Sequence, residues 1–396
     1  WSVPDMKLDT WIESFKQVLR GDTIERCRRN LSGKNITSLE QSSQFFDDLY
    51  GKLLSLPESQ VSRPLARDAS PHFSDAVFTL RSKAIQRTKE PEESHFLGIM
   101  RDNWGTAGYR IRFPLEDLER SGLGHSSFHI VREDGFAIGE VLDRSCARHV
   151  LIQPFLSDEG LRMVEHLHRE SGFEIALVLD DLWTELQPDN PVRELLPENV
   201  EERLKYVASL SQKLIYTTNE LQRRLDLKHD NCRVVKNALP SWIWDFKERR
   251  RVRTSGRFRV GWSGAPQHAG DLKFLGKVIE NTSDLADWVF FGMCPPELSH
   301  LASEVHPMVP FIKYPVRLSS LDFDLAIAPL SDSPFNRCKS SLKILEYGIL
   351  GLPVVASDLV PYQGCPVTLA PADDADAWTE VIRDMLNDGD RRLEQG

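Results

Sequence analysis

No apolar run approaches the ~20 residues that a bilayer span requires, so no membrane-crossing helix is expected. No signal-peptide pattern precedes the first helical stripe. Cysteine is sparse: Cys27, Cys146, Cys232, Cys294, Cys338 and Cys365 are scattered over 396 residues without C-x-x-C spacing. Neither a zinc site nor a disulfide framework follows, and a reducing cytoplasm suits such a chain best, including the inner face of the membrane. Positive charge is also short. The 49 Lys and Arg against 59 Asp and Glu leave a net charge of −10, which argues against broad attachment to nucleic acid or anionic lipid. Sugars and small anions are the expected partners. The sequence has no H-E-x-x-H, no Walker loop and no Ser-His-Asp ordering, which removes metalloprotease, ATPase and triad-hydrolase chemistry. No internal repeat or low-complexity segment is evident. The chain opens Trp1-Ser2, without methionine, and is expected to be part of a longer, multidomain protein.

What the sequence does contain falls into three regions. Residues 1–90 are polar and helical in period, with Leu8, Trp11, Ile12, Phe15, Val18 and Leu19 on one stripe and Phe45, Phe46, Leu49, Tyr50, Leu53 and Leu54 on another. They read as a helical extension without chemistry of its own. From residue 91 to 245, short apolar runs at 95–100, 126–132, 149–154, 173–179, 212–216 and 232–236 alternate with amphipathic stretches such as 158–170 and 197–211. A second alternating series fills 246–396, with strands expected at 257–262, 287–292, 308–312, 323–329, 352–356 and 366–369. Alternation of this kind predicts α/β domains, each a parallel sheet with helices on both faces. Between the two lie Trp242-Ile243-Trp244 and the basic run Lys247–Arg253, which read as a linker and a solvated loop.

The most informative stretch is residues 335–362. A strand ending at Pro329 leads through a polar loop to a helix expected to open near Cys338, with Lys339, Ser340 and Ser341 in its first turn. Free amides and the positive dipole end there suit a phosphate, and Lys343, one turn on, reaches the same side. Glu346 and Tyr347 follow. Gly351-Leu352-Pro353-Val354-Val355-Ala356-Ser357 then reads as a helix stop and an apolar strand ending in small polar residues. This stretch resembles the donor-binding element of GT-B glycosyltransferases, most closely the retaining family 4 type.

The resemblance covers roughly residues 95–390. It implies a GT-B fold, two Rossmann-like domains facing a cleft, and transfer of a sugar from a nucleotide diphosphate donor to an acceptor hydroxyl, with retention. In that reading Lys339 and Lys343, with Ser340, hold the diphosphate and Glu346 the ribose hydroxyls. No metal and no cofactor beyond the donor itself is implied. Cys338 stands where the family usually has a second glutamate, eight positions before the ribose glutamate. The expected acceptor is a bacterial surface glycan or lipid-linked glycan.

Two glycine-containing loops would face the same cleft. In Asn103–Arg110, Gly105 and Gly108 let backbone approach a ligand, and Arg110 or Arg112 adds charge. In Gly261–Leu272, Ser263 and His268 occupy the positions where the family commonly has an arginine and a lysine, with Gly264 between them. His268 would donate to phosphate, which would raise its pKa. Asp180 and Asp181, at the end of strand 173–179, could orient or deprotonate an acceptor, or Asp181 could cap a helix. Thr218 or Asn219 reads as a helix cap, and Asn237-Ala238-Leu239-Pro240 as the approach to the domain crossing. A GT-B nucleotide-sugar epimerase, a non-catalytic nucleotide-sugar-binding module, and a transferase acting on protein or a modified nucleic-acid base stay open as alternatives.

Overall fold

The computed structural model describes residues 92–102, 104–131, 147–169, 173–188, 190–245 and 256–396. The expected helical extension and the basic run 247–253 lie outside the described residues. Two six-stranded sheets, parallel throughout, organise the rest. The first comprises β1 (Glu92–Met100), β2 (His125–Ile130), β3 (Ala147–Ile152), β4 (Glu174–Leu179), β5 (Lys213–Tyr216) and β6 (Cys232–Val234), in the order β2-β1-β3-β4-β5-β6. The second comprises β7 (Phe258–Ser263), β8 (Ala286–Gly292), β9 (Glu304–Pro307), β10 (Leu325–Ala328), β11 (Val354–Ser357) and β12 (Thr368–Ala370), in the order β12-β11-β10-β7-β8-β9.

The inner strands β4, β10 and β11 are buried on both faces, as crossover helices demand of a parallel sheet. In the second sheet the period of two is explicit. Val260, Trp288, Phe290, Leu325 and Ile327 face a core that includes Val278, Ile279, Trp378 and Ile382, while Val289, Phe291, Ala326 and Val354 face the opposite core with Phe323 and Tyr347. Tyr109 and Phe113, from the first half of the chain, join that second core. Phe335 and Cys338 make the reciprocal excursion into the core of the first half, beside Leu177, Leu182 and Leu221. Each such side chain contributes roughly 1.5–3 kcal/mol on leaving water, so the two halves are apolar partners and not merely tethered.

One expected strand is misplaced. Residues 308–312 do not pair; β9 lies earlier, at Glu304–Pro307, against Val289–Gly292 of β8. The apolar run Met308-Val309-Pro310-Phe311-Ile312 looks like a strand, but Pro310 has no amide to give a ladder. Phe311 instead stacks on Phe113, with centroids 5.4 Å apart, and meets the edge of Tyr109 at 5.1 Å. The polar strand that replaces it is held by Glu304, whose two oxygens accept from Arg259 at 2.6 and 3.0 Å.

Chain order reverses between β1 and β3 in the first sheet and between β7 and β10 in the second. In open parallel sheets such reversal points leave a crevice beyond the carboxyl ends of the strands, where ligands bind. Among the described residues no helix is long and apolar enough to cross a membrane.

Candidate functional site

A cleft of about 690 Å³ lies between the two sheets, lined from the first half by Arg101, Gly105, Tyr109, Arg110, Asp180 and Asp181 and from the second by Gly264, His268, Lys339, Ser340, Lys343 and Glu346. Its size falls within the ~300–1,000 Å³ of small-molecule sites.

The second-half wall departs from the sequence expectation first at its helix. The helix does not open at Cys338. A short helix, Pro334–Arg337, starts on Ser333, whose hydroxyl accepts from the Asn336 amide, and the next helix begins only at Leu342 and runs to Gly348. Lys339, Ser340 and Ser341 therefore precede the helix, and Lys343 is in its first turn. Cross-domain hydrogen bonds account for the break: Thr218 donates to the Cys338 carbonyl at 2.9 Å, and Asn237 donates to the Ser340 hydroxyl at 2.7 Å. Both pull the intervening backbone toward the first half.

Lys339 lies 3.5 Å from an Asp181 carboxylate oxygen and 4.4 Å over the Phe335 ring. Lys343 donates to the Ser263 carbonyl and faces the rings of Trp262 and Tyr347. Burial pulls the Lys343 ammonium below its usual range; Glu346 opposes that shift and Lys339 adds to it. Glu346 is itself 6% exposed. One of its oxygens accepts from Tyr109 at 2.9 Å and the other from Tyr314 at 3.0 Å. Burial raises its carboxyl, and Lys343 and the two tyrosines restrain the rise.

The loop after β7 holds these groups in place. Ser263 is fully buried and bonds to the hydroxyls of Tyr314 and Tyr347 at 2.9 and 3.1 Å, so its side chain positions neighbours and faces no ligand. Gly264 donates to Phe291 at 2.9 Å. Opposite it Gly292 has φ +97°, and a Cβ there would lie 2.2 Å from the Gly264 carbonyl oxygen, so this approach requires glycine. His268 is half-buried, with Nδ1 2.8 Å from Asp271. Burial, aided by Lys339 and Lys343, holds its pKa below the usual value against the pull of Asp271. A carboxylate only accepts, so Nδ1 carries the proton and the Nε2 of neutral His268 is an acceptor. Donation from Nε2 to phosphate requires imidazolium.

On the first-half wall a π turn, Gly108–Arg112, links the helical turn Gly105–Ala107 to the helix Phe113–Arg120. Tyr109 and Arg110 are both buried there. Such turns often mark functional positions. Arg110 donates to Asn237 at 2.9 Å and to the Val235 carbonyl at 2.8 Å, whereas Arg112 pairs with Glu116 along its own helix. Gly108 lets the turn close over Phe113, where a Cβ would come within 3.0 Å of the ring. Asp180 and Asp181 follow β4. The Asp181 side chain faces Lys339, and the short turn after it, Trp183–Glu185, has Leu182 at its cap position. Asp180 Oδ1 is buried without a hydrogen-bond partner. Burial and the neighbouring Asp181 raise the Asp180 carboxyl to about 6, against the pull of Arg101, Arg110 and Thr106.

Of the sequence-expected residues the cleft gathers Gly105, Asp180, Asp181, Gly264, His268, Lys339, Ser340, Lys343 and Glu346, while Gly108 and Ser263 do not line it; it adds Arg101, Tyr109, Asn237 and Tyr314. Only pairing across sequence distance reveals the additions; Tyr109 and Tyr314 flank Glu346 from positions 237 and 32 residues away.

No protein-family model matches this chain, and no curated protein matches it. Solved structures do match over most of both chains. Sucrose-phosphate synthase from Thermosynechococcus elongatus is 13% identical over 76% of this chain and 94% of its own, with a TM-score of 0.53. An α-glucosyltransferase in complex with UDP is 10% identical over 76% and 93%, at 0.52. An α-glucosyltransferase with UDP and a 13-mer DNA containing a central A:G mismatch gives 10%, 77% and 93%, at 0.51. Together with the two parallel sheets, these likenesses establish the fold, which is GT-B.

Proposed function

We propose that this GT-B chain is a glycosyltransferase that moves a sugar from a nucleoside diphosphate donor to an acceptor hydroxyl. The observation that carries the reading is a cleft with Lys339, Lys343 and Glu346 on one wall and Asp180 on the other. The anomeric carbon–oxygen bond to the diphosphate breaks, with the electron pair leaving on the diphosphate. Lys343 and Lys339 stabilise that developing charge. The acceptor oxygen bonds to the anomeric carbon and its proton passes to Asp180 or to the leaving phosphate. Retention, independence of a metal ion, and a glycan or lipid-linked glycan acceptor in bacterial polysaccharide synthesis belong to the proposal through the family resemblance, and a cytoplasmic site of action through the scattered cysteines.

Incubation with UDP-, GDP-, dTDP- and CMP-sugars, with product analysis, tests the reading. Release of the nucleotide together with a new glycoside is expected. Interconversion of the nucleotide sugar without acceptor would make the chain an epimerase, and binding without turnover would make it a recognition module.

Glu346 separates ribose recognition from scaffolding. Glu346→Gln is expected to weaken a nucleoside diphosphate by about 10-fold or more, the effect of a lost charged acceptor, and inorganic pyrophosphate much less. Calorimetry that shows equal losses for both ligands would assign Glu346 to holding Tyr109 and Tyr314.

A further inference from the structure

The first-half wall carries more unmet hydrogen-bonding capacity than acceptor activation needs. Arg101 Nε, Arg110 Nε, Gln153 Nε2 and Trp183 Nε1 are buried donors without a partner, and Asp180 Oδ1 is a buried acceptor without one. Gln153, Arg110 and Trp183 are 1%, 6% and 7% exposed, so water does not reach them freely, and leaving such groups unpaired costs stability. Arg101, Arg110, Trp183 and Asp180 all line the cleft.

The group is also built. The Arg101 guanidinium lies 4.5 Å over the Trp183 ring, and the Arg101 amide donates to Gln153 Oε1 at 2.7 Å. Stacking fixes the plane of the guanidinium while leaving its edge for a ligand. Arg101 and Gln153 immediately follow β1 and β3, the neighbours between which the chain order of the first sheet reverses. A ligand is therefore expected at this crevice on topology as well as chemistry.

Three such donors, on Arg101, Arg110 and Trp183, and one acceptor, on Asp180, line the cleft and describe the complement of the occupant. It presents several lone pairs and one hydroxyl. A neutral sugar hydroxyl brings a proton with each oxygen, whereas a phosphate or carboxylate brings lone pairs alone and matches a guanidinium fork. The donor diphosphate has Lys339 and Lys343 on the opposite wall.

We infer that the acceptor is an anionic sugar or sugar-like alcohol, whose phosphate or carboxylate is held by Arg101 with Trp183 while its hydroxyl faces Asp180. This rests on the proposed transferase reading, from which it takes the division of the cleft into donor and acceptor walls.

The test is calorimetric titration of the UDP-saturated chain with glucose 6-phosphate, glucuronate and glucose. At least one anionic probe is expected to bind about 10-fold or more tighter than glucose, as a charge-assisted contact provides; which one does so distinguishes phosphate from carboxylate. Arg101→Gln should abolish that preference and leave UDP affinity unchanged, and Arg101→Lys, which keeps the charge but not the stacked fork, should retain part of it. Thermal melting of both variants establishes that they are folded. Equal binding of all three probes, a preference that survives Arg101→Gln, or a parallel loss of UDP affinity would overturn the inference. If none of UDP, GDP and dTDP binds the wild type, the transferase reading fails separately. The same titrations without nucleotide then decide the anion site.

Discussion

Asp180→Asn is expected to slow sugar transfer by about 10²–10⁴-fold, the range for a lost general base, with nucleoside diphosphate affinity unchanged. Asp180 closes β4 on the acceptor wall, and its free Oδ1 is the buried acceptor that an incoming hydroxyl would meet. Its carboxyl, raised to about 6 by burial and by Asp181, is ionised but still basic near neutrality. A base acts when deprotonated, so turnover should climb with pH through about 6, and the Asn variant should lose that limb.

Stability should move the other way. A carboxyl whose folded pKa lies above its unfolded value binds its proton more tightly when folded. Its contribution is complete below the unfolded pKa and is lost as pH rises through about 6. Above that pH the ionised group is a burden, and the Asn variant should melt higher than wild type at pH 8, with the gap narrowing toward pH 4. Such an exchange of stability for activity is usual at working sites. Normal turnover in the Asn variant would remove Asp180 from the chemistry. Asp181→Asn should have the smaller effect, since Asp181 already faces Lys339 at 3.5 Å.

Lys343→Ala is expected to weaken nucleoside diphosphate binding by about 1.5–3 kcal/mol, the worth of a charge-assisted hydrogen bond, or roughly 10- to 150-fold. Transfer should slow further, because the lysine acts most strongly when charge develops on the leaving diphosphate. In the free chain the ammonium is buried against the Ser263 carbonyl, and its nearness to Lys339 disfavours its charge. A diphosphate entering between them relieves that repulsion. Lys339→Ala should cost less, because Lys339 must first leave Asp181. Pyrophosphate should follow the nucleotide in the Lys343 variant and not in Glu346→Gln. Calorimetry on the variants checks both, and equal nucleotide affinity in wild type and Lys343→Ala would sink the assignment.

Much of the fold was legible because buried parallel strands leave a strong local signature. Runs such as Ile175–Leu179 and Ala326–Ala328 are apolar on both faces, and only the edge strand β9 was misplaced. Its residues Glu304 and His306 look like loop, since what stabilises them lies outside the strand: Arg259 holds Glu304, and Arg317 meets His306. The start of the helix at Leu342 was missed for a similar reason. The sequence reading opens it near Cys338, while the bonds from Thr218 and Asn237 to Cys338 and Ser340, ahead of the helix, come from more than 100 positions away.

The candidate site shows the same division. Lys339, Lys343 and Glu346 announce themselves by spacing along one segment. Ser263 occupies a motif position, yet it is buried under Tyr314 and Tyr347. Arg101 carries no motif and becomes visible only through its stacking on Trp183 and its unpaired Nε.

The central claim is that the wall bearing Lys339, Lys343 and Glu346 holds a nucleoside diphosphate. Calorimetric titration of UDP, GDP and dTDP into the wild-type chain and into the Lys339→Ala/Lys343→Ala double variant tests it most directly. The account predicts that at least one nucleotide binds the wild type at one site per chain, is displaced by inorganic pyrophosphate, and binds the folded double variant at least about 100-fold more weakly. Absence of binding by every nucleotide, or unchanged affinity in the double variant, would contradict it.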